Sequence, residues 1–189
     1  MTSFKEYFTD LFKAVSEASA TDRRGVDLGF EVGMGQAVAL IRSLRGTGAK
    51  LILIGNGGSA AIASHEALDF WKGCQIPAVT FNDAAQLTCL ANDHGIEHIF
   101  SRPLEVFSQR GDILLAISSS GRSKNILNAV EMARKKSCHV ITFSGFKATN
   151  KLRSLGDLNF YVPSSVYGHV EVAHLGLVHA LADFSMVGR

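Results

Sequence analysis

The chain has 189 residues, 47% of them hydrophobic and 19% charged, with a formal net charge of +2. That length suits one domain with a sizeable core, and the composition lacks the low-hydrophobicity, high-charge signature of disorder. With no long basic run there is no footprint for nucleic acid, and the apolar run Val170 to Ala182 is broken by Glu171, His174, Gly176 and His179, which argues against a membrane span.

Residues 3–19 set Phe4, Tyr7, Phe8, Leu11, Phe12 and Val15 at helical spacing on one face. A break at Ala20-Thr21-Asp22 precedes a second expected helix, about Arg24 to Arg45, ended by Gly46 and Gly48. This helical pair has no strand of its own to cover, so its aromatic face is expected to pack on another subunit. Strands are then expected at 50–54, 77–81, 112–117, 138–143 and 158–162. Helices are expected near 58–72, 84–92, 97–109, 123–136 and 147–154, with a last one over about 168–187.

Leu51–Ile54 and Ile113–Ile117 are apolar without alternation, as strands are when both sheet faces are covered. Alternating strand–helix units imply a parallel sheet with right-handed crossovers, and ligands then sit beyond the carboxyl ends of the strands. The expected architecture is a single α/β domain over 1–189: N-terminal helices in 1–47, used in oligomer packing, and an α/β core in 48–189. Met1 to Glu6 shows no signal-peptide pattern, and Cys74, Cys89 and Cys138 are isolated, without metal or redox spacing, so a cytoplasmic protein is expected.

Two strand-to-helix turns are built from tiny residues. The first, Gly55-Asn56-Gly57-Gly58-Ser59, lacks both the Lys-Ser/Thr end of a nucleotide loop and the dinucleotide spacing. It reads as a tight packing turn or as a close approach of backbone to a ligand. The second gathers Ser118, Ser119, Ser120 and Ser123 around Gly121. One N-cap needs one serine, so a cluster of hydroxyls and first-turn amides reads better as a site for a phosphate dianion.

His65 and Asp69 lie four apart on one helix face, and Glu171, His174 and His179 lie on the last helix. A His/Asp pair and a Glu/His pair suit a divalent metal, zinc being favoured by two imidazoles. Asp69 and His179 equally suit base and acid without metal, and spacing leaves the two open. Asp93 ends a helix at Asn92-Asp93-His94-Gly95, as a turn residue or a partner for a sugar hydroxyl. His94, His98, His139 and His169 are expected to face solvent or cap neighbours.

Together the glycine turn, Ala91-Asn92-Asp93-His94-Gly95, Ile99-Phe100-Ser101-Arg102, the segment Gly111 to Ser123 and the closing Glu171, His174 and His179 make the chain resemble the sugar isomerase (SIS) domain family, within it the phosphoheptose isomerases. The resemblance implies a three-layer, doubly wound, flavodoxin-like five-stranded parallel sheet with an N-terminal helical pair. It implies a homotetramer with active sites at subunit interfaces. It further implies isomerisation of sedoheptulose 7-phosphate to D-glycero-D-manno-heptose 7-phosphate, in the supply of heptose for surface polysaccharide (lipopolysaccharide or capsule).

By that resemblance the phosphate lies on Ser118, Ser119, Ser120 and Ser123, Asn56, Gly57 and Ser59 meet the sugar, and Asp93 binds a hydroxyl. Asp69 and His179 are catalytic, and His65, Asp69, Glu171 and His179 hold one zinc. Three departures stand out. Asp69 replaces a glutamate and reaches about 1.5 Å less. Glu171 replaces a neutral glutamine. Gly73, beside Lys72, stands where the family has an arginine. A non-catalytic SIS module bound to a partner such as the bacterial replication initiator, and a sugar-phosphate sensor, are the rival expectations.

Overall fold

The computed structural model describes residues 3–186. In chain order the elements are α1 (Phe4–Ser16), β1 (Ser19–Asp22), α2 (Phe30–Arg42), β2 (Leu51–Ile54), α3 (Gly58–Gly73), β3 (Ala78–Thr80) and α4 (Ala84–His94). They continue with α5 (Ser101–Phe107), β4 (Ile113–Ser118), α6 (Lys124–Lys135), β5 (His139–Ser144), β6 (Leu158–Tyr161) and α7 (Tyr167–Ser185). The expected helix at 97–109 divides into a 3₁₀ turn, Ile96–His98, and α5, while that at 147–154 contracts to a 3₁₀ turn, Lys151–Ser154.

The sheet has six strands in the order β1-β6-β5-β4-β2-β3, one more than expected. The extra strand is β1, which falls where the local sequence reads as a break. It pairs antiparallel with β6, Ala20 opposite Phe160, so tertiary pairing overrides a weak local signal. The other pairings are parallel. α2 accordingly begins at Phe30 rather than Arg24, because Asp22 Oδ1 accepts from the amides of Arg24 (2.8 Å) and Val26 (2.9 Å) and holds that stretch as a turn.

Both faces of the sheet are covered. Leu51, Leu53, Ile113, Leu115, Ile117 and Phe143 point into one core with α2, α3 and α7. Ile52, Ile54, Leu114, Ala116 and Val140 point into the other with α4, α5 and α6. Successive side chains alternate between two apolar cores, which is why the strands show no apolar–polar alternation. In the first core Phe143 stacks on Phe160 at 4.9 Å, and truncating either to alanine should cost about 3–5 kcal/mol. At the opposite strand ends, buried Asp112 accepts from Lys50 N (2.9 Å), Lys50 Nζ (2.6 Å) and Gln109 N (2.9 Å), fixing β4 beside the entry to β2.

The chain passes from β2 to β3 on one side and then to β4 on the other, so the order reverses between β2 and β4. Beyond the carboxyl ends of these two strands lies the crevice where such sheets bind ligands. The two small-residue turns are its walls. Among the described residues no helix is long and apolar enough to cross a membrane. α1 lies on α7, where Tyr7 meets the His169 ring at 4.5 Å, and His169 is buried rather than facing solvent as expected. Phe4, Phe8 and Phe12 stay 89%, 53% and 70% exposed in the single chain.

Candidate active site

The turn after β4 wraps one end of a cavity of about 120 Å³ lined by Asn56, Ser59, Ser118, Ser119, Ser120, Ser123, Tyr167 and Glu171. Gly121 takes φ +60°, and a Cβ there would collide with Asn150 Oδ1, so the turn closes only with glycine. Gly145 N donates to Ser119 O at 3.0 Å from behind. Ser119 is 5% exposed, yet its hydroxyl has no protein partner, an unmet demand that a ligand on this turn would satisfy. Ser123 occupies the N-cap of α6 without a side-chain capping bond, so simple capping does not account for its hydroxyl.

The two turns are tied to each other. Asn56 Nδ2 donates to Asn125 Oδ1 (2.9 Å), and Asn125 Nδ2 donates back to Asn56 Oδ1 (2.8 Å). Asn125, on α6, thus shares in setting the cavity's width, and nothing in its sequence neighbourhood marks it. Tyr167, at the start of α7, is a second unexpected wall residue.

The ionisable groups gather nearby, in the seam of α3 and α7. His65 Nε2 lies 3.4 Å from Asp69 Oδ2, and His179 Nδ1 lies 3.5 Å from the same oxygen. The His65 and His179 rings stack at 5.9 Å. A fourth member is Glu66, fully buried, whose Oε1 is 3.1 Å from His179 Nδ1 while Oε2 has no partner. Burial pushes the Glu66 carboxyl above the usual range, opposed by the adjacent His179. One ligand atom from each of His65, Glu66, Asp69 and His179 lies within 4.8 Å of the others, a set that can hold a metal ion.

Glu171 stands outside that set in the single chain. Its carboxylate lies over Gly58, where a Cβ would collide with Oε2. It lines the serine cavity and also a groove of about 380 Å³ along Gly58, Ala61, Ile62, His65, Val172 and Leu175. It is therefore the wall between the turn and the cluster. Asp93 is exposed on α4 and lines neither cavity; Asn92 Nδ2 donates to it at 2.8 Å, and this bond chiefly holds its carboxyl below the usual range. Gly57 forms the N-cap of α3.

A family profile described as SIS domain matches residues 31–145. The phosphoheptose isomerase of Helicobacter hepaticus is 38% identical over 151 residues, 76% of this chain and 76% of the relative. That of Histophilus somni is 38% identical over 152 residues, 77% of each. The solved phosphoheptose isomerase of Neisseria gonorrhoeae superposes with a TM-score of 0.82 at 30% identity, covering 95% of both chains. For that of Francisella tularensis the values are 0.83 and 28%, covering 98% of this chain and 99% of the other. Sheet and crevice define a doubly wound α/β fold, and with these likenesses the chain belongs to the SIS-domain family of phosphoheptose isomerases.

Proposed function

We propose that this chain is an aldose–ketose isomerase that converts sedoheptulose 7-phosphate to D-glycero-D-manno-heptose 7-phosphate, supplying heptose for lipopolysaccharide or capsule. The observation that carries this reading is the meeting of two cavities at Glu171, one lined by serine hydroxyls, the other by His65 of the ionisable cluster. A phosphate at one end and proton-transfer groups at the other suit a phosphosugar held by its tail.

In this reading Ser118, Ser119, Ser120 and Ser123 hold the phosphate by neutral hydrogen bonds. Gly57, Ser59 and Asn56 meet the sugar, and Asp93 binds a hydroxyl when a neighbouring subunit completes the site. Asp69 takes the proton from the carbon next to the carbonyl. His179 gives a proton to the carbonyl oxygen, making an enediol; it then takes the proton of the neighbouring hydroxyl while Asp69 returns its proton to the former carbonyl carbon, each step being general acid–base work. The His/Glu/Asp set suits zinc, and a bound zinc would polarise the carbonyl and stabilise the developing negative charge.

A homotetramer with interface sites is supported by the exposure of Phe4, Phe8 and Phe12, which would pack between the N-terminal helices of subunits. Placement in the cytoplasm draws support from three unpaired cysteines. The contact of His179 with Asp69 favours an enzyme over a partner-binding module. Incubation with sedoheptulose 7-phosphate, with and without zinc, should give the aldose phosphate, and His179→Ala should lower turnover by about 10²- to 10⁴-fold. No aldose product under either condition would overturn the reading.

A further inference from the structure

The described residues that line the serine cavity include no lysine or arginine and one carboxylate, Glu171. A dianion seated there depends on neutral donors and on the positive ends of helices. Tyr167 is the lining residue whose donor the serine turn does not account for, and among the described residues nothing partners its hydroxyl. It opens α7, a helix of 19 residues whose N-cap, Val166, brings no side-chain oxygen to the first-turn amides. The buried Ser119 hydroxyl, also unpartnered, belongs to the same cavity.

Two residues just beyond β5 fix where Tyr167 stands. Gly145 N donates to Ser119 O at 3.0 Å, and a Cβ on Gly145 would collide with Val170 of α7, so this segment holds the serine turn against the first turn of α7. Phe146 follows with φ +58°, a left-handed conformation that a bulky residue rarely adopts. It is locked there: its amide donates to Ser164 O at 2.9 Å, and its carbonyl accepts from Tyr161 Oη at 2.9 Å. In that conformation its ring meets the Tyr167 ring edge-on, centroids 4.7 Å apart and planes at 86°. A tyrosine 61% exposed has few neighbours to fix its ring, and Phe146 supplies one. Backbone strain persists only where the surroundings over-determine it, and it gathers at ligand sites.

We infer that Tyr167 is a substrate-positioning residue whose hydroxyl donates a hydrogen bond to the phosphate on the serine turn, and that Phe146 acts through it by holding its ring at the cavity wall. The inference rests on the phosphate reading of Ser118, Ser119, Ser120 and Ser123. The phosphate is then held from two sides, by hydroxyls of the turn after β4 and by a phenol of α7. Tyr167 and Glu171 lie four apart on one face of α7, and both line the cavity. A phosphate seated against Tyr167 therefore fixes where the sugar begins relative to Glu171.

The test is binding of inorganic phosphate to the full chain, followed by phosphorus NMR line width, beside steady-state isomerase kinetics. Tyr167→Phe keeps the ring and removes the hydroxyl. It should weaken inorganic phosphate and raise KM for the heptose phosphate by about 10-fold or more, the worth of one hydrogen bond to a charged group, while kcat changes far less. Phe146→Ala should raise both constants in the wild-type background by about 3- to 10-fold and add little to Tyr167→Phe, the non-additivity of residues that act as one unit. A merely structural role for Phe146 would instead give additive losses, which overturns its part in the inference. If Phe146→Ala does not fold, Tyr167→Phe decides alone. Unchanged phosphate affinity and KM in Tyr167→Phe, or a loss confined to kcat, overturns the inference; if Ser119→Ala still weakens phosphate, the serine-turn reading stands without it. Absence of phosphate binding by the wild-type chain, or no effect of Ser119→Ala, overturns both.

Discussion

The turn after β4 and the seam between α3 and α7 are made of different materials. The turn collects neutral hydroxyls within residues 118–123, and its form is set by Gly121 against Asn150. The seam joins Glu66 to His179 across 113 positions of sequence, and every group in it ionises. Neutral donors hold a dianion with little dependence on their own charge state, whereas the seam's behaviour hangs on the charge and protonation of its groups. The contrast predicts that binding and chemistry can be damaged separately, with Glu171 the group that borders both.

The largest expected effect is that of Asp69→Asn, which should lower kcat by about 10²- to 10⁴-fold and leave KM for the heptose phosphate within about threefold. A large rise in KM would erase the division of labour. Next is Ser119→Ala, which removes an otherwise unpartnered hydroxyl and should raise KM by about 10- to 100-fold with kcat retained, the worth of one hydrogen bond to a charged group. A loss in kcat alone would break the comparison from the other side.

His174 separates an effect on the fold from an effect on either half of the site. It lies buried on α7 with Nε2 donating to Ser144 O at 3.2 Å, and burial lowers its pKa from 6.5 to about 4. The unfolded chain therefore takes up a proton first as pH falls below 6.5, and stability drops until the folded pKa near 4 is passed. Urea titrations should show a contribution of about 2 kcal/mol lost by pH 5, absent in His174→Gln. The smallest change expected is that of Gly58→Ala, whose Cβ would displace the Glu171 carboxylate lying over that position. kcat and KM should both shift, each by about tenfold or less, as expected for a misplaced positioning group.

The parts of the molecule written in contiguous residues are legible in the sequence. The serine turn lies within six positions after an apolar strand, and its location at the sheet's carboxyl edge follows from strand–helix alternation. β1 is not legible, because Ser19–Asp22 becomes a strand only through β6, far along the chain. Glu66 is hidden for a similar reason. Helical spacing pairs 65 with 69, but whether 66 faces solvent or a seam depends on where α7 packs. Glu171 lies eight residues, about 12 Å along the helix, from His179, and in the single chain its carboxylate reaches Gly58. Asn125 escapes notice because its partner, Asn56, lies across the crevice in the other turn.

The antiparallel pairing of β1 with β6 also sets an order of assembly. β1 is complete by residue 22, while its strand partner ends at residue 161. At about 5–20 residues per second, roughly 7–28 s of synthesis separate the two. For that interval β1 has no partner strand, and α1, which packs on α7, waits longer still. Closing this edge is then a late event of folding, and the N-terminal segment is the part of the nascent chain most open to chaperones until β6 emerges.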